Sequence, residues 1–342
     1  MRAFLAGLAA LVATFVASAQ PAAACAGLIG PNGAVNLLRT STFAGYHDGV
    51  EHYVTAFQFA GGSGQFGSLI PLPGIPDKVE RGGDWTLQRL VRETTPVRGF
   101  AVPFALAAQS VRSGVEVLQQ VKVDALDITI LKGGGVEVGQ WATEHGFRLP
   151  ADAPEVLDFY ADRSPIFMAA VFDADAAKAR GQNIGDGTPV HLTIPTPNPW
   201  VPLRILALGK KATDRIDADV YLLTDNHPSF LPYPGANGMR IDHYAPATTS
   251  LLNDLRSDKG MGWVPQSAWL TKIAIDASAS QLSYDLAVDA RGVTPSRVAA
   301  GLEPPASTPA PTQPNTELFA LIGIALAAGG TIVLLRTSRV LA

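Results

Sequence analysis

Cysteine is nearly missing: the 342 residues contain one, Cys25. No internal disulfide can form, so the folded part must be held by its core, and a chain of this length can bury one. The common catalytic signatures are missing as well. No G-x-S-x-G nucleophile elbow occurs, and Ser63 and Ser68 stand in G-S-G and G-S-L, where they read as loop serines. The run Gly61-Gly62-Ser63-Gly64 is not followed by G-K-[ST], which excludes a phosphate loop. Asp173/Asp175 and Asp217/Asp219 do not continue into D-x-[DN]-x-[DN]-G with a distal Glu, which excludes an EF-hand. No LPxTG precedes the last apolar run, which argues against a sortase signal. No stretch of 20 to 50 residues repeats, which argues against a solenoid or propeller. Charge is sparse, at 16% of residues. Setting aside Arg2, Arg336 and Arg339 leaves 23 of the 26 Lys+Arg against 30 Asp+Glu between Cys25 and Glu317, a balance of −7. That balance argues against a nucleic-acid surface or an anionic-lipid patch.

Apolar residues are abundant, at 47%, and two runs at the ends contribute to that figure. Met1-Arg2, the apolar Ala3 to Val16 and the small residues Ala22 to Ala24 match a removable export signal, 1–24. Cys25 follows directly. A lipoprotein reading is an alternative, but Ala22 occupies the position where a lipobox usually has Leu. A thiol at the processed end also argues against a cysteine nucleophile. At the other end, Leu318 to Leu335 (LFALIGIALAAGGTIVLL) carries no charge over eighteen residues and is followed by Arg336 and Arg339. At ~1.5 Å rise per residue such a helix just spans a ~30 Å hydrocarbon core, and basic residues after it mark the cytoplasmic side. Residues 336–342 are then a cytoplasmic tail. Before the span, 299–317 is rich in Pro, Ser and Thr (AAGLEPPASTPAPTQPNTE), an extended stalk of ~3.1 Å per residue. The expected arrangement is a cell-membrane protein with one pass, its domain at 25–298 extracytoplasmic.

Within that domain the pattern predicts a β-rich α+β fold, mainly antiparallel sheets with several short helices. Leu37 to Tyr46 and Val50 to Phe59 flank Asp48-Gly49, a strong two-residue hairpin signal. The resulting register faces His47 to Val50, Tyr46 to Glu51 and Gly45 to His52. It places Tyr46, Tyr53, Phe57 and Phe59 on a core face and His47 and His52 on the other. The three prolines of GSLIPLPGIP (67–76) predict an extended edge segment. Asp84 is placed to cap a helix from Trp85 to Thr94. Val115 to Leu131 reads as two strands divided at Asp124-Ala125. Further helices are expected over Val136 to His145, stopping at Gly146, over Glu155 to Arg163, over Asp173 to Arg180 and over Thr249 to Arg256. Phe167 to Phe172, Trp269 to Asp276 and Leu282 to Asp289 read as strands. Leu203 to Leu208 and Val220 to Thr224 are expected to form a central hairpin.

These passages resemble the bacterial exported proteins grouped as domain of unknown function 2330. The likeness is carried by Tyr46-His47-Asp48-Gly49-Val50-Glu51-His52-Tyr53, by Gly67-Ser68-Leu69-Ile70-Pro71-Leu72-Pro73, by Trp141 to Pro150 and by Ile194 to Leu208 with Leu223-Thr224-Asp225. The resemblance implies a signal peptide, an extracytoplasmic domain and a C-terminal membrane helix. It implies no activity and no catalytic residues.

Functional candidates come from the six histidines, 47, 52, 145, 191, 227 and 243. His47 and His52 on one strand face are candidate metal ligands if a third donor comes near; the plainer alternative is two solvated histidines beside a turn. Asp225-x-His227 and Asp242-His243 flank a Pro- and Gly-rich loop and are candidate acid–base residues. Trp85, Trp141, Trp200, Trp263 and Trp269 read as core, with a sugar platform as the alternative. No cofactor motif is present. The reading favours a membrane-anchored binding or envelope-organising module, held to the membrane by its C-terminal helix, whose partner is an envelope protein or a glycan and not nucleic acid. The alternative is an extracytoplasmic, metal-assisted hydrolase.

Overall fold

A computed structural model describes residues 22–23, 27–30, 33–34, 39–58, 65–95, 116–179, 181, 187–235 and 237–305; strands β1 to β17 and helices α1 to α5 are numbered in chain order within them. The Asp48-Gly49 turn fixes the register of the largest sheet. Both residues have positive φ, 51° and 78°, as a two-residue hairpin turn of this kind requires. β4 (Arg39–His47) and β5 (Val50–Gln58) pair as the turn dictates, with His47 against Val50, Tyr46 against Glu51 and Gly45 against His52.

Around this hairpin runs an eight-stranded sheet. Its order is β15 (Met239–Pro246), β16 (Trp269–Ser278), β13 (Arg215–Thr224), β4, β5, β11 (Gly187–Pro195) and β7 (Lys78–Arg81), with β1 (Ala22–Ala23) also on β4. Pairing is antiparallel except where β4 meets β13 and β1. A second sheet has the order β3 (Gly33–Ala34), β2 (Gly27–Gly30), β6 (Gln65–Pro71), β10 (Ile166–Asp173), β9 (Leu126–Lys132) and β8 (Glu116–Val123). A small third sheet joins β12 (Trp200–Val201), β17 (Leu286–Asp289) and β14 (Ser229–Leu231). The domain is therefore α+β and strand-rich, with mainly antiparallel sheets.

Alternation along the strands sorts side chains into three cores. Between the two large sheets lie Ala44, Tyr53, Leu192, Val220 and Ile273 from one, and Ile70, Ile128, Met168 and Phe172 from the other. The outer face of the first sheet, with Phe43, Val54, Tyr221 and Leu270, is covered by α1 (Thr86–Thr94) and α5 (Thr249–Ser257) through Leu87, Leu90, Leu251, Leu252 and Leu255. The outer face of the second, with Leu69, Leu131 and Phe167, is covered by α2 (Gly135–Glu144) and α3 (Ala153–Ala161). The short α4 (Ala174–Ala179) follows β10 directly. The layers thus run helix, sheet, sheet, helix.

Several local expectations hold. β8 and β9 divide at Asp124, which has φ 56°, and α2 stops before Gly146 with φ 81°. Others need correction. The face of β4–β5 that carries His52 is buried, because both sides of this sheet are covered. The segment from Gly67 is no edge: β6 is paired on both sides, by β2 and β10, since its first proline, Pro71, comes only at the strand end. Leu203 to Leu208 is not a strand of a central hairpin. It contains a 3-10 turn at Arg204–Ala207, because the buried Asp285 carboxylate accepts the backbone N–H groups of Leu203 (2.6 Å) and Arg204 (3.0 Å). β13 pairs instead with β16 and β4. Asp84 does not cap α1; Asp258 does, accepting from Trp85 N (3.0 Å) and Thr86 Oγ1 (2.7 Å).

Ala299 and Ala300, assigned by composition to the stalk, are buried in the core beside α3, and Arg163 donates to the Ala299 carbonyl. Among the described residues no helix is long and apolar enough to cross a membrane. The export signal apart from Ala22 and Ala23, and the expected membrane helix, 318–335, lie outside the described residues.

Candidate functional site

The outer face of the second sheet is not fully covered by its helices. α2 lies over Leu69, Leu131 and Phe167 and ends at Glu144; beyond its C-terminus the same face continues with Gln65 on β6, Thr129 and Asp127 on β9 and Val171 on β10. The result is a groove of ≈ 310 Å³ lined by Gln65, Asp127, Thr129, Trp141, Glu144, His145, Gly146 and Val171. That volume is at the lower end of the range for small-ligand sites. Phe147 closes one edge by lying on Gly67, where an added Cβ would come within 2.9 Å of the ring.

The groove is rich in hydrogen-bond acceptors. The His145 ring stacks on Trp141 at 3.8 Å, and its Nδ1 donates to the Trp141 carbonyl at 2.8 Å, so in the neutral ring the acceptor is Nε2. Asp127 and Glu144 add carboxylates, Thr129 a hydroxyl and Gln65 an amide. Asp127 Oδ2 is buried without a hydrogen-bond partner, and its counter-charge, Lys122 Nζ, stands 3.7 Å away. Burial, with Asp173 adding to it and Lys122 opposing, raises the Asp127 carboxyl above the usual carboxylate range.

The first sheet holds two buried ionisable groups at adjacent positions of β5. Glu51 points between the sheets and is 1% exposed. Neither of its oxygens has a hydrogen-bond partner, and Trp200 presents its backbone N–H from outside bonding geometry. Burial pushes this carboxyl up to about 8. Beside it lies a cavity of ≈ 10 Å³ among Ala44, Tyr46, Trp200, Leu222 and Val288, room for about one water. His52 points the opposite way. Its Nδ1 is 3.0 Å from His191 Nε2, and its ring stacks on Trp263 at 3.8 Å. Gly45, opposite His52, is what admits Trp263: a Cβ there would lie 2.0 Å from the indole. His191 also faces Glu80 across β7, 3.6 Å from Nδ1 to Oε1. Burial first, then the neighbouring imidazoles of His191 and His47, lowers His52 to about 3; burial lowers His191 to about 4 despite Glu80.

The family model described as "Uncharacterized protein conserved in bacteria (DUF2330)" matches residues 19–286. The chain belongs to this family. A search of the curated proteins finds no match. Among solved structures, the DUF2330 chain is similar to a mutated baculovirus P35 after caspase cleavage, with 8% identity, TM-score 0.37, and coverage of 76% of this chain and 96% of that one. It is similar also to baculovirus P35, with 9% identity, TM-score 0.37, and coverage of 75% and 96%. These likenesses are too loose to carry an argument.

In this DUF2330 domain the residues singled out from sequence are distributed as follows. His47 and His52 lie on one face of the hairpin, yet they take different partners. His47 Nδ1 meets Asp225 Oδ1 at 2.6 Å, while His52 meets His191. His227 stands edge-on to Trp269 at 5.9 Å. Asp242 pairs with Arg240 at 2.7 Å and Lys272 at 3.7 Å, and His243 follows it on β15. Asp225 is thus joined to His47 rather than to its sequence neighbour His227. Trp141 and Trp200 are buried, Trp263 and Trp269 half-buried, and Trp85 is exposed at 37%. Sequence reasoning missed Asp127, Glu51 and the His52–His191 contact. Asp127 carried one signal: it is a charge inside an otherwise apolar strand, LDITIL, and its neighbours on the same face are Thr129 and Leu131.

Proposed function

We propose that this chain is a membrane-tethered extracytoplasmic binding module whose ligand is a glycan taken up in the groove beyond α2. The tether is the apolar span 318–335 with its stalk, and export depends on the 1–24 signal. The observation that carries the reading is Asp127: a carboxyl inside an apolar strand that lines a groove of ligand size, its Oδ2 buried without a hydrogen bond and met only by the Lys122 ammonium at 3.7 Å. A ligand donor that reaches this carboxyl would add a charge-assisted hydrogen bond, worth about 1.5–3 kcal/mol. The surrounding carboxylate, hydroxyl, amide and imidazole groups favour a ligand rich in donors, and hydroxyl- and amine-bearing sugars have that chemistry. The two carboxyl side chains at the groove, Asp127 and Glu144, favour a neutral or cationic ligand over an anionic one.

The test is a panel of soluble glycans, amino sugars and acidic sugars included, titrated into the full-length protein in detergent. Binding of amino or neutral glycans with exclusion of acidic ones is the expected result. Absence of binding across the panel, or preference for acidic glycans, would overturn the groove as a glycan site.

A further inference from the structure

We propose that His47, Asp48 and Asp225 form a binding site for a divalent transition cation of the zinc type. It uses residues remote in sequence from the groove and does not depend on the glycan reading.

Topology builds the site. β4 and β13 run parallel, and their last pair is Tyr46 with Thr224. Continuing that register by one residue sets His47 beside Asp225, 178 positions away in sequence. Asp48 is the next residue, fixed in the turn by its φ of 51°, and the turn is tied to the end of β11 by a 3.1 Å bond from Thr196 N to the Gly49 carbonyl. The three side chains thus stand on two strand ends and a tight turn, a rigid base for a ligand set.

Among the described residues, these three each offer one donor atom within 4.8 Å of the other two. Asp225 Oδ1 lies 2.6 Å from His47 Nδ1 and Asp48 Oδ2 3.4 Å from Nε2; an ion takes one ring nitrogen, so one of the two carboxylates must turn to meet it there. Donors bound ~2.0–2.2 Å from one tetrahedral zinc ion lie about 3.4 Å apart, so donor atoms within 4.8 Å of one another close on an ion by side-chain rotations that move them on the order of 1 Å. One imidazole with two carboxylates suits zinc, manganese or ferrous iron; a soft cuprous ion prefers thiolates, and calcium and magnesium prefer all-oxygen sets. Two carboxylates also balance the double charge. The side chains are 31%, 86% and 40% exposed, which gives an ion an entry path and leaves coordination positions to water.

The test uses full-length protein in detergent, dialysed to equilibrium against zinc ion, with bound metal counted by atomic spectroscopy and with cobalt as a spectroscopic substitute. One equivalent should bind. His47→Ala and Asp225→Asn should each weaken it at least tenfold, while His227→Ala and His243→Ala should retain it. Asp48→Asn keeps the turn geometry and removes only the charge, so it should weaken binding without lowering the melting temperature in the absence of metal. Failure of the native chain to bind one equivalent, or an unchanged equivalent in both His47→Ala and Asp48→Asn, would overturn the site.

Discussion

Asp285 and Glu51 are both carboxylates sealed inside the domain, and their surroundings are opposite. Asp285 is 0% exposed and accepts from Tyr160 Oη at 2.8 Å, from the backbone N–H groups of Leu203 and Arg204, and from the buried Arg163 guanidinium. It ties α3, the 3-10 turn and the start of the last strand into one network. Glu51 is 1% exposed and has no bonded partner at all. The burial of the first acid is compensated by four donors; the second has none, and burial pushes it up to about 8. Asp127 differs from both: it lines a groove, and a single ion pair with Lys122 at 3.7 Å is what holds its buried oxygen.

The sharpest way to break this contrast is to remove the engaged acid. Asp285→Ala leaves Arg163, whose side chain is 4% exposed, without its counter-charge, and should cost about 3–5 kcal/mol in urea unfolding. A loss below about 1 kcal/mol would erase the difference between the two sites. Glu51→Gln should act with the opposite sign. The folded carboxyl, at about 8, lies above its ordinary value of 4.5, so its contribution is complete below pH 4.5 and is lost as pH rises through 8. The amide cannot ionise. The variant should therefore match the native chain at pH 4.5 and exceed it by on the order of a few kcal/mol at pH 9. Equal stability at both pH values would show that Glu51 is already ionised.

Its neighbour His52 sharpens the comparison from the acid side. His52 and His191 are lowered to about 3 and about 4, below the ordinary 6.5, so the stability they confer is present above 6.5 and is lost as pH falls towards 4. His52→Phe keeps a ring on Trp263 and removes one of the charging groups. Its stability should fall less steeply between pH 6.5 and 4 than that of the native chain, by up to about 3 kcal/mol over the interval. A parallel acid limb would place the sensitivity elsewhere.

How much of this was legible in the sequence follows from the range of each interaction. Asp48-Gly49, Asp124 and Gly146 announce themselves because a positive φ is a local demand met by a few residue types. The hairpin register followed from the turn alone. The 3-10 turn after Leu203 was not legible, since the carboxylate that ends the extended run sits at position 285. Nor was the cap of α1, supplied from Asp258 in place of the adjacent Asp84. His52 read as a surface residue because the Trp263 that covers it comes more than two hundred residues later. His47 and Asp225 were each noticed, but only the parallel register of β4 and β13 puts them together. Asp127 is the same kind of case: its burial depends on where α2 stops.

The smallest expected change in stability, and the most direct test of function, belongs to Asp127. The measurement is isothermal titration of the full-length protein with the tightest glycan from the panel, run side by side on the native chain, Asp127→Asn and Glu51→Gln. The groove reading predicts a loss of at least tenfold in Asp127→Asn, about 1.4 kcal/mol, with folding stability within about 1 kcal/mol of native and with Glu51→Gln binding as the native chain does. Equal affinity in all three proteins would contradict it.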